Sequence, residues 1–299
     1  MRPRYSFSGH ETFPLRTIWL KKAVDAIRKD NTIFQSDSAI AEFGVGKNMV
    51  RSIRHWSLTS EILKPDNECG KRNALRISTL GEYLFGEAGV DPYCEDSATL
   101  WLLHWLLCRS PHHASLWHYI FGHWRGGGID LRNLQHPLDK WLFENGASTP
   151  SYSTLNRDFK CLVNTYINRR KKNSHLEKIV DFPLSSLGLL YENRGIIYLR
   201  EGQKCGLPPE LVAFAILDYW DKNYLETEVL PAQNIVTYQA SPAQMFLLSE
   251  EQVFDILTRI GDFKEPPFQL DNTAGVHQLY RSSESTPLAM LELYYNRNS

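Results

Sequence analysis

Four side chains close together in this sequence carry the chemistry that is easiest to read from it: Lys47, Asn48, Arg51 and Arg54. Lys47, Arg51 and Arg54 recur at i, i+4 and i+7, which places them on one face of a helix. Cations reach phosphates and guanine edges and an amide matches adenine, so the set suits the major groove of double-stranded DNA. Val50, Ile53 and Ser57 make a separate stripe expected to face inward, and Trp56 joins them as core rather than as a base-stacking group. Further along, Lys71 and Arg72 end a turn-rich stretch that starts at Pro65, between Ile62-Leu63-Lys64 and the alternating Ala74-Leu75-Arg76-Ile77. That pattern is a hairpin with a basic tip, suited to gripping phosphate rather than reading sequence. The competing reading of the same residues is a set of solvated cations on a helical domain that binds protein.

Other constellations carry less. Arg157 and Lys160 point away from an apolar stripe and precede the run Arg169-Arg170-Lys171-Lys172, a second basic stretch for nucleic acid or a soluble linker. His104, His112, His113, His118 and His123, with Cys108, are the one group with metal-ligand chemistry. They lack HExxH spacing and sit among Trp101, Trp105, Trp117, Tyr119, Phe121 and Trp124, where imidazoles commonly satisfy a buried helix interface. His10-Glu11 with Ser6, Ser8 and Thr12 lacks a visible third orienting group for catalysis; Ser8 or Thr12 is instead expected to cap the helix opening at Pro14. Gly44-Val45-Gly46-Lys47-Asn48 lacks the spacing of a phosphate loop and follows a helix rather than a strand. No catalytic residue, metal or cofactor is expected, and the chain is read as a binding protein rather than an enzyme. A metal-dependent enzyme using the histidine-rich segment 104–123 is the alternative from another class.

The elements that must position these residues follow from periodicity and caps. Pro14 to Arg28 reads as a helix, with Leu15, Ile18, Trp19, Ala23 and Ile27 at helical spacing. Ser36-Asp37-Ser38 precedes a short helix Ala39 to Phe43, a glycine turn and the helix from Lys47, which together spell helix-turn-helix. Thr79 to Phe85 closes a winged-helix-like unit, and Gly86 to Tyr93 is read as its boundary. Asp96 to Trp124, broken at Arg109-Ser110-Pro111, reads as two buried helices with Ser97 as cap. A helix around Leu131 to Leu142 ends at Asn145-Gly146, and Ser153 is expected to cap Thr154 to Asn168 as a second helix-turn-helix. Leu189 to Leu199 reads as a hairpin turning at Glu192-Asn193-Arg194. Pro208 to Tyr224 and Ser249 to Ile260 read as amphipathic helices, Pro266-Pro267 opens an extended stretch, and Asp271 to Gly275 opens a last short helix. No repeat of fixed period is visible.

The chain has 299 residues, 42% of them apolar, which allows a substantial core in two or three domains and excludes a disordered composition. No apolar run approaches the roughly 18 residues of a membrane span, and the start of the chain has no signal core, so a cytoplasmic protein is expected. Five scattered cysteines without a CxxC pair exclude a disulfide framework. The net charge of −1 conceals an asymmetry. Residues 1–90 carry 14 Lys and Arg against 10 Asp and Glu, residues 151–172 carry 6 against 1, and residues 205–299 carry 5 against 13. An acidic region approaches phosphate unfavourably, so the last third is expected to meet protein, not DNA.

Ser6-Phe7-Ser8-Gly9-His10-Glu11-Thr12-Phe13-Pro14-Leu15-Arg16, then Trp19-Leu20-Lys21-Lys22, and Gly44 to Ile53 resemble the bacterial family called domain of unknown function 4007. The resemblance continues through Ala98 to Leu107 and Ser153 to Asp158 and is weakest in the C-terminal third. It implies an accessory protein encoded near sulfur-transferring enzymes of DNA phosphorothioate modification and near anti-phage islands. It supplies no catalytic residues.

The expected architecture is mainly α with small β-hairpins. It comprises a winged-helix-like DNA-binding domain over 1–92, a helical middle with a second such unit over 93–204, and an acidic α+β interaction region over 205–299. The expected partners are double-stranded DNA and other subunits of a modification or restriction system, with no membrane; an adaptor that never touches DNA is the alternative.

Overall fold

The computed structural model describes residues 5–168, 183–202, 204–271, 277–282 and 285–298. The basic run 169–172 and the short helix expected from Asp271 to Gly275, beyond its first residue, lie outside them. The described chain is mainly helical with small antiparallel sheets. By packing it forms two compact units, residues 1–117 with 126–199 and residues 118–125 with 200–299.

In the first unit α1 (Thr17–Lys29) buries Trp19, Leu20, Ala23, Val24, Ala26 and Ile27, whereas Ile18 is exposed. It starts three residues later than Pro14, because Arg16 is extended and Pro14 and Leu15 are spent in the core. Its N-cap Arg16 takes no side-chain hydrogen bond, so neither Ser8 nor Thr12 caps it. The helices α2 (Ala39–Phe43) and α3 (Lys47–Thr59) are joined through Gly44, left-handed at φ 64°, and Gly46, which precedes the first turn of α3. Glycine suits Gly44 because a Cβ is disfavoured at that φ. The expected cluster Ser36-Asp37-Ser38 gives α2 no side-chain cap; Ser36 and Ser38 bond each other instead. The strands β1 (Leu63–Pro65) and β2 (Leu75–Ile77) pair antiparallel, Leu63 opposite Ile77, and α4 (Thr79–Phe85) follows with Ser78 capping Gly81 N–H. Leu75 N–H also donates to the Asn31 carbonyl, a single backbone hydrogen bond at the edge of the hairpin.

The helix α5 (Ser97–Cys108) is buried at every residue from Ala98 to Cys108, and α6 (Ser115–Gly122) follows the break. Asp96 rather than Ser97 is the cap, accepting from Ala98 N–H, because Ser97 has already entered the helix. Next come α7 (Leu131–Glu144), opened by a capping box of Asp130 with Asn133, and α8 (Tyr152–Tyr166). Ser151, not Ser153, caps α8: its Oγ accepts from Thr154 N–H, which starts the helix two residues earlier than expected. The strands β3 (Leu190–Asn193) and β4 (Ile196–Leu199) turn at Arg194-Gly195, both at positive φ (51° and 81°), a two-residue turn whose twist matches the strands. Ile129 and Ile197 exchange both backbone hydrogen bonds, a one-residue edge. Among the described residues, two helices followed by a hairpin therefore occur twice in this unit, each hairpin bonded to a residue that precedes the helices.

The second unit centres on α9 (Pro209–Asn223), which is buried from Pro209 to Trp220 on all sides rather than amphipathic. Around it lie β5 (Val229–Pro231), α10 (Gln233–Val236), α11 (Pro242–Met245), α12 (Glu250–Gly261), β6 (Phe268–Asp271), β7 (Gln278–Arg281) and α13 (Pro287–Asn298). The three strands pair antiparallel in the order β5-β7-β6, and Ser249 and Gln252 form a capping box on α12. Among the described residues no helix is long and apolar enough to cross a membrane.

Candidate nucleic-acid interface

The helix α3 divides as its pattern requires: Val50, Ile53, Trp56 and Ser57 are buried, while Lys47, Asn48 and Arg51 are exposed. Among the described residues Lys47 and Asn48 make no side-chain hydrogen bond, so both can serve a ligand at no internal cost. Arg51 Nη1 lies 3.5 Å from Glu11 Oε1, a loose exposed pair. Arg54 is half-buried, and burial lowers its pKa. It shares a cleft of about 410 Å³ with Asp66, Lys71 and Arg72 of the β1–β2 hairpin, so helix and hairpin tip form one surface. The tip is held from behind: Gln35 Nε2 donates to the Arg72 carbonyl at 2.8 Å and Lys71 Nζ lies 3.5 Å from Asn31 Oδ1.

Sequence reasoning missed the loop that links α3 to α8. Ser8, Glu11 and Thr12 all have positive φ (67°, 49° and 69°), an uncommon concentration for residues with a Cβ. The Asp158 carboxylate of α8 accepts from Ser8 N–H at 2.9 and 3.1 Å and from Ser8 Oγ at 3.2 Å. His10 is buried; its Nδ1 accepts from Thr12 N–H at 3.1 Å, and its Nε2 lies 3.3 Å from Asp158 Oδ1 without the alignment of a hydrogen bond. The His10 ring stacks on Trp56 of α3 and abuts His55 and Trp117. Gly9 lies so close that a Cβ there would come 2.4 Å from His55 Nδ1. Trp56 Nε1 in turn donates to the Phe13 carbonyl at 2.9 Å. Crowding lowers the His55 pKa to about 3, with burial the main cause and the neighbouring His10, His113 and Arg54 adding to it. The loop thus ties the exposed face of α3 to α8 through a dense polar and aromatic joint.

A family model described as protein of unknown function, DUF4007, matches residues 7–295. The chain belongs to the DUF4007 family. No curated protein matches it. Two solved structures share the fold. The magnesium ion-bound SspB crystal structure is 25% identical at a TM-score of 0.85, with 97% of this chain and 88% of that chain covered. An SspB crystal structure is 24% identical at a TM-score of 0.85, with 99% of this chain and 89% of that chain covered.

In this DUF4007 chain the remaining expected residues separate. Lys160 lines a second cleft, with Arg132 of α7 and Arg194 of the β3–β4 turn, whereas Arg157 is exposed outside that lining and bonds Thr154 Oγ1 at 3.5 Å. Arg132 and Arg194 lay outside the basic stretches of the sequence and gave no signal there. The histidines do not converge. His104 Nδ1 is 2.7 Å from the Tyr166 hydroxyl in the core, and His112 and His113 are exposed. His118 and His123 face each other, Nε2 to Nε2 at 3.2 Å, and His123 Nδ1 meets Gln239 Oε1 at 3.1 Å. Burial lowers the His123 pKa. Among the described residues no group of three or more His, Cys, Asp or Glu side chains could hold a metal ion. Among the described residues the five cysteines form no disulfide: Cys94, Cys108 and Cys161 are buried, Cys69 and Cys205 exposed.

Proposed function

We propose that this DUF4007 protein is a cytoplasmic, DNA-binding accessory protein of a bacterial DNA-modification or phage-defence system linked to phosphorothioation. In this reading residues 17–85 are a winged helix that sets α3 in the major groove and lays the β1–β2 hairpin along the phosphates. One observation carries it: Arg54, Lys71 and Arg72 gather in one cleft beside the exposed Lys47, Asn48 and Arg51. The hydrogen bond from Leu75 N–H to the Asn31 carbonyl, which ties the segment before the helices to the hairpin, supports the winged topology. The link to a modification system rests on the family resemblance.

The test is fluorescence anisotropy with a labelled duplex across a salt series. Each phosphate contact contributes about 0.9 to the slope of log K against log salt on duplex DNA. Arg51→Ala with Arg54→Ala is expected to weaken binding and lower that slope by about 2 if both contact phosphate, with an unchanged melting profile. Unchanged affinity would remove α3 as the reader. No duplex binding by the parent protein at any salt would leave the adaptor, which binds other subunits only.

The magnesium named for one SspB structure favours a second reading, a metal-dependent enzyme. The described residues do not offer a cluster of three His, Cys, Asp or Glu side chains for such an ion. Change in a supercoiled plasmid incubated with the protein and magnesium, abolished by EDTA, would select that reading.

A further inference from the structure

We infer that the cleft formed by α7, α8 and the β3–β4 turn is a second nucleic-acid site, one that takes an unpaired strand. It deepens the DNA-binding reading and rests on the same premise that nucleic acid is the ligand. It uses different residues on different elements.

The cleft is concave, about 530 Å³, and three cations enter it from three elements: Arg132 at the start of α7, Lys160 on α8 and Arg194 at the hairpin turn. All three are exposed, and none forms an ion pair among the described residues. The single carboxylate in the lining, Asp130, is engaged: its Oδ1 accepts from the N–H groups of Arg132 and Asn133 at 2.8 and 3.0 Å. Three cations held apart by separate elements with no internal partner repel one another, and an anionic backbone running between them relieves that repulsion.

Tyr152 and Asn156 supply what a bare phosphate site would not need. Tyr152 is 54% exposed on the first turn of α8, which leaves its ring open to a ligand in the cleft. The Ser151 cap fixes that turn, and Phe159 continues the same wall. Single-strand sites combine a cationic track with aromatic rings on which bases stack, while Asn156 can meet a base edge. A duplex presents its bases edge-on inside a convex cylinder, so it cannot lay a base against a ring inside a concave cleft. The wall therefore matches unpaired bases.

The experiment uses the full chain and two probes in parallel, a labelled oligothymidine and a blunt duplex, each over a salt series. The variants are the triple Arg132→Ala, Lys160→Ala, Arg194→Ala, then Tyr152→Ala and Tyr152→Phe, with thermal melts to confirm folding. For the oligothymidine the triple variant is expected to lower the salt slope by about 2, since each phosphate on a single strand contributes about 0.7. Tyr152→Ala is expected to weaken it about tenfold, and Tyr152→Phe, which keeps the ring, by less than about twofold. Blunt-duplex binding should be unchanged in all three.

No oligothymidine binding by the parent protein overturns the proposal, as does an unaltered affinity in a folded triple variant. Equal losses on strand and duplex overturn the assignment to an unpaired strand. Saturable binding of thymidine monophosphate with no binding of the strand would make the cleft a mononucleotide site and also overturn it. Because the duplex arm and the Arg51 and Arg54 variants report on α3 alone, failure of the winged-helix reading is seen separately.

Discussion

His55 is the residue at which folding and pH are most directly coupled. Its ring is wedged between Gly9 and the rings of His10 and Trp56, and its pKa is held near 3 against an ordinary 6.5. Between those values the unfolded chain takes up a proton that the folded chain refuses, so stability rises with pH across that window. The contribution is complete above about pH 6.5 and is lost progressively as pH falls toward 3. Melting temperatures of the parent and His55→Gln from pH 7 down to pH 4 check this. The parent curve should fall more steeply, and parallel curves would mean that the ring is freely protonated in the fold. The neighbouring Asp158 shows why part of this site escaped sequence reasoning. Its partner Ser8 is 150 positions away, and nothing local in either segment reports the pairing. Arg132 and Arg194 are hidden in the same way, since each lies far in sequence from Lys160.

At the scale of elements, the sequence was most readable where a local rule fixes the outcome. The helix α3, the β1–β2 hairpin and α4 lie where periodicity, a glycine turn and alternating residues put them. Caps were harder to place, because several Ser and Asp residues compete within two positions. For α5 the competition gives a clean test. Asp96→Ala should cost about 1 kcal/mol, the ordinary loss on removing a helix cap, whereas Ser97→Ala, exposed and already inside the helix, should be close to neutral. Chemical denaturation of both variants decides, and the reverse order would return the cap to Ser97. The interior of α3 gives the second test at this scale. Ile53 is fully buried on the stripe with Val50 and Ser57, so Ile53→Ala should cost about 2–5 kcal/mol. A melting temperature equal to the parent's would mean that α3 presents the other face to the core. In the second unit the helices expected at Pro208 to Tyr224 and Ser249 to Ile260 are present as α9 and α12, although α9 is buried all round rather than amphipathic; its strands, of three or four residues, are too short for alternation to register.

The repeated order of two helices and a hairpin belongs to the first unit, and no sequence period announces it. The two copies differ in length, five residues in α2 against fourteen in α7, and thirteen in α3 against fifteen in α8. The consequence for function is that cationic surface is presented twice in the first unit, at Arg54 with Lys71 and Arg72, and at Arg132 with Lys160 and Arg194.

The acidic last third sets the final prediction, also at this scale. Residues 205–299 carry 13 carboxylates against 5 cations, and Glu226, Glu228, Glu251 and Asp255 are exposed on the second unit. Like charge repels phosphate over a Debye length of about 10 Å at 0.1 M salt, so under the proposed function these side chains are expected to oppose DNA association. Replacing the four by Gln and Asn should leave the fold intact, since exposed charges contribute little to stability. Duplex affinity should then stay level or rise at low salt, and the difference from the parent should shrink as salt increases. The same variant should lose binding to other subunits if the acidic surface is where they dock. Anisotropy across a salt series and a pull-down with the native host's proteins read the two effects independently. A fall in duplex affinity of the folded variant would place DNA contacts on the acidic unit and reverse the division of labour.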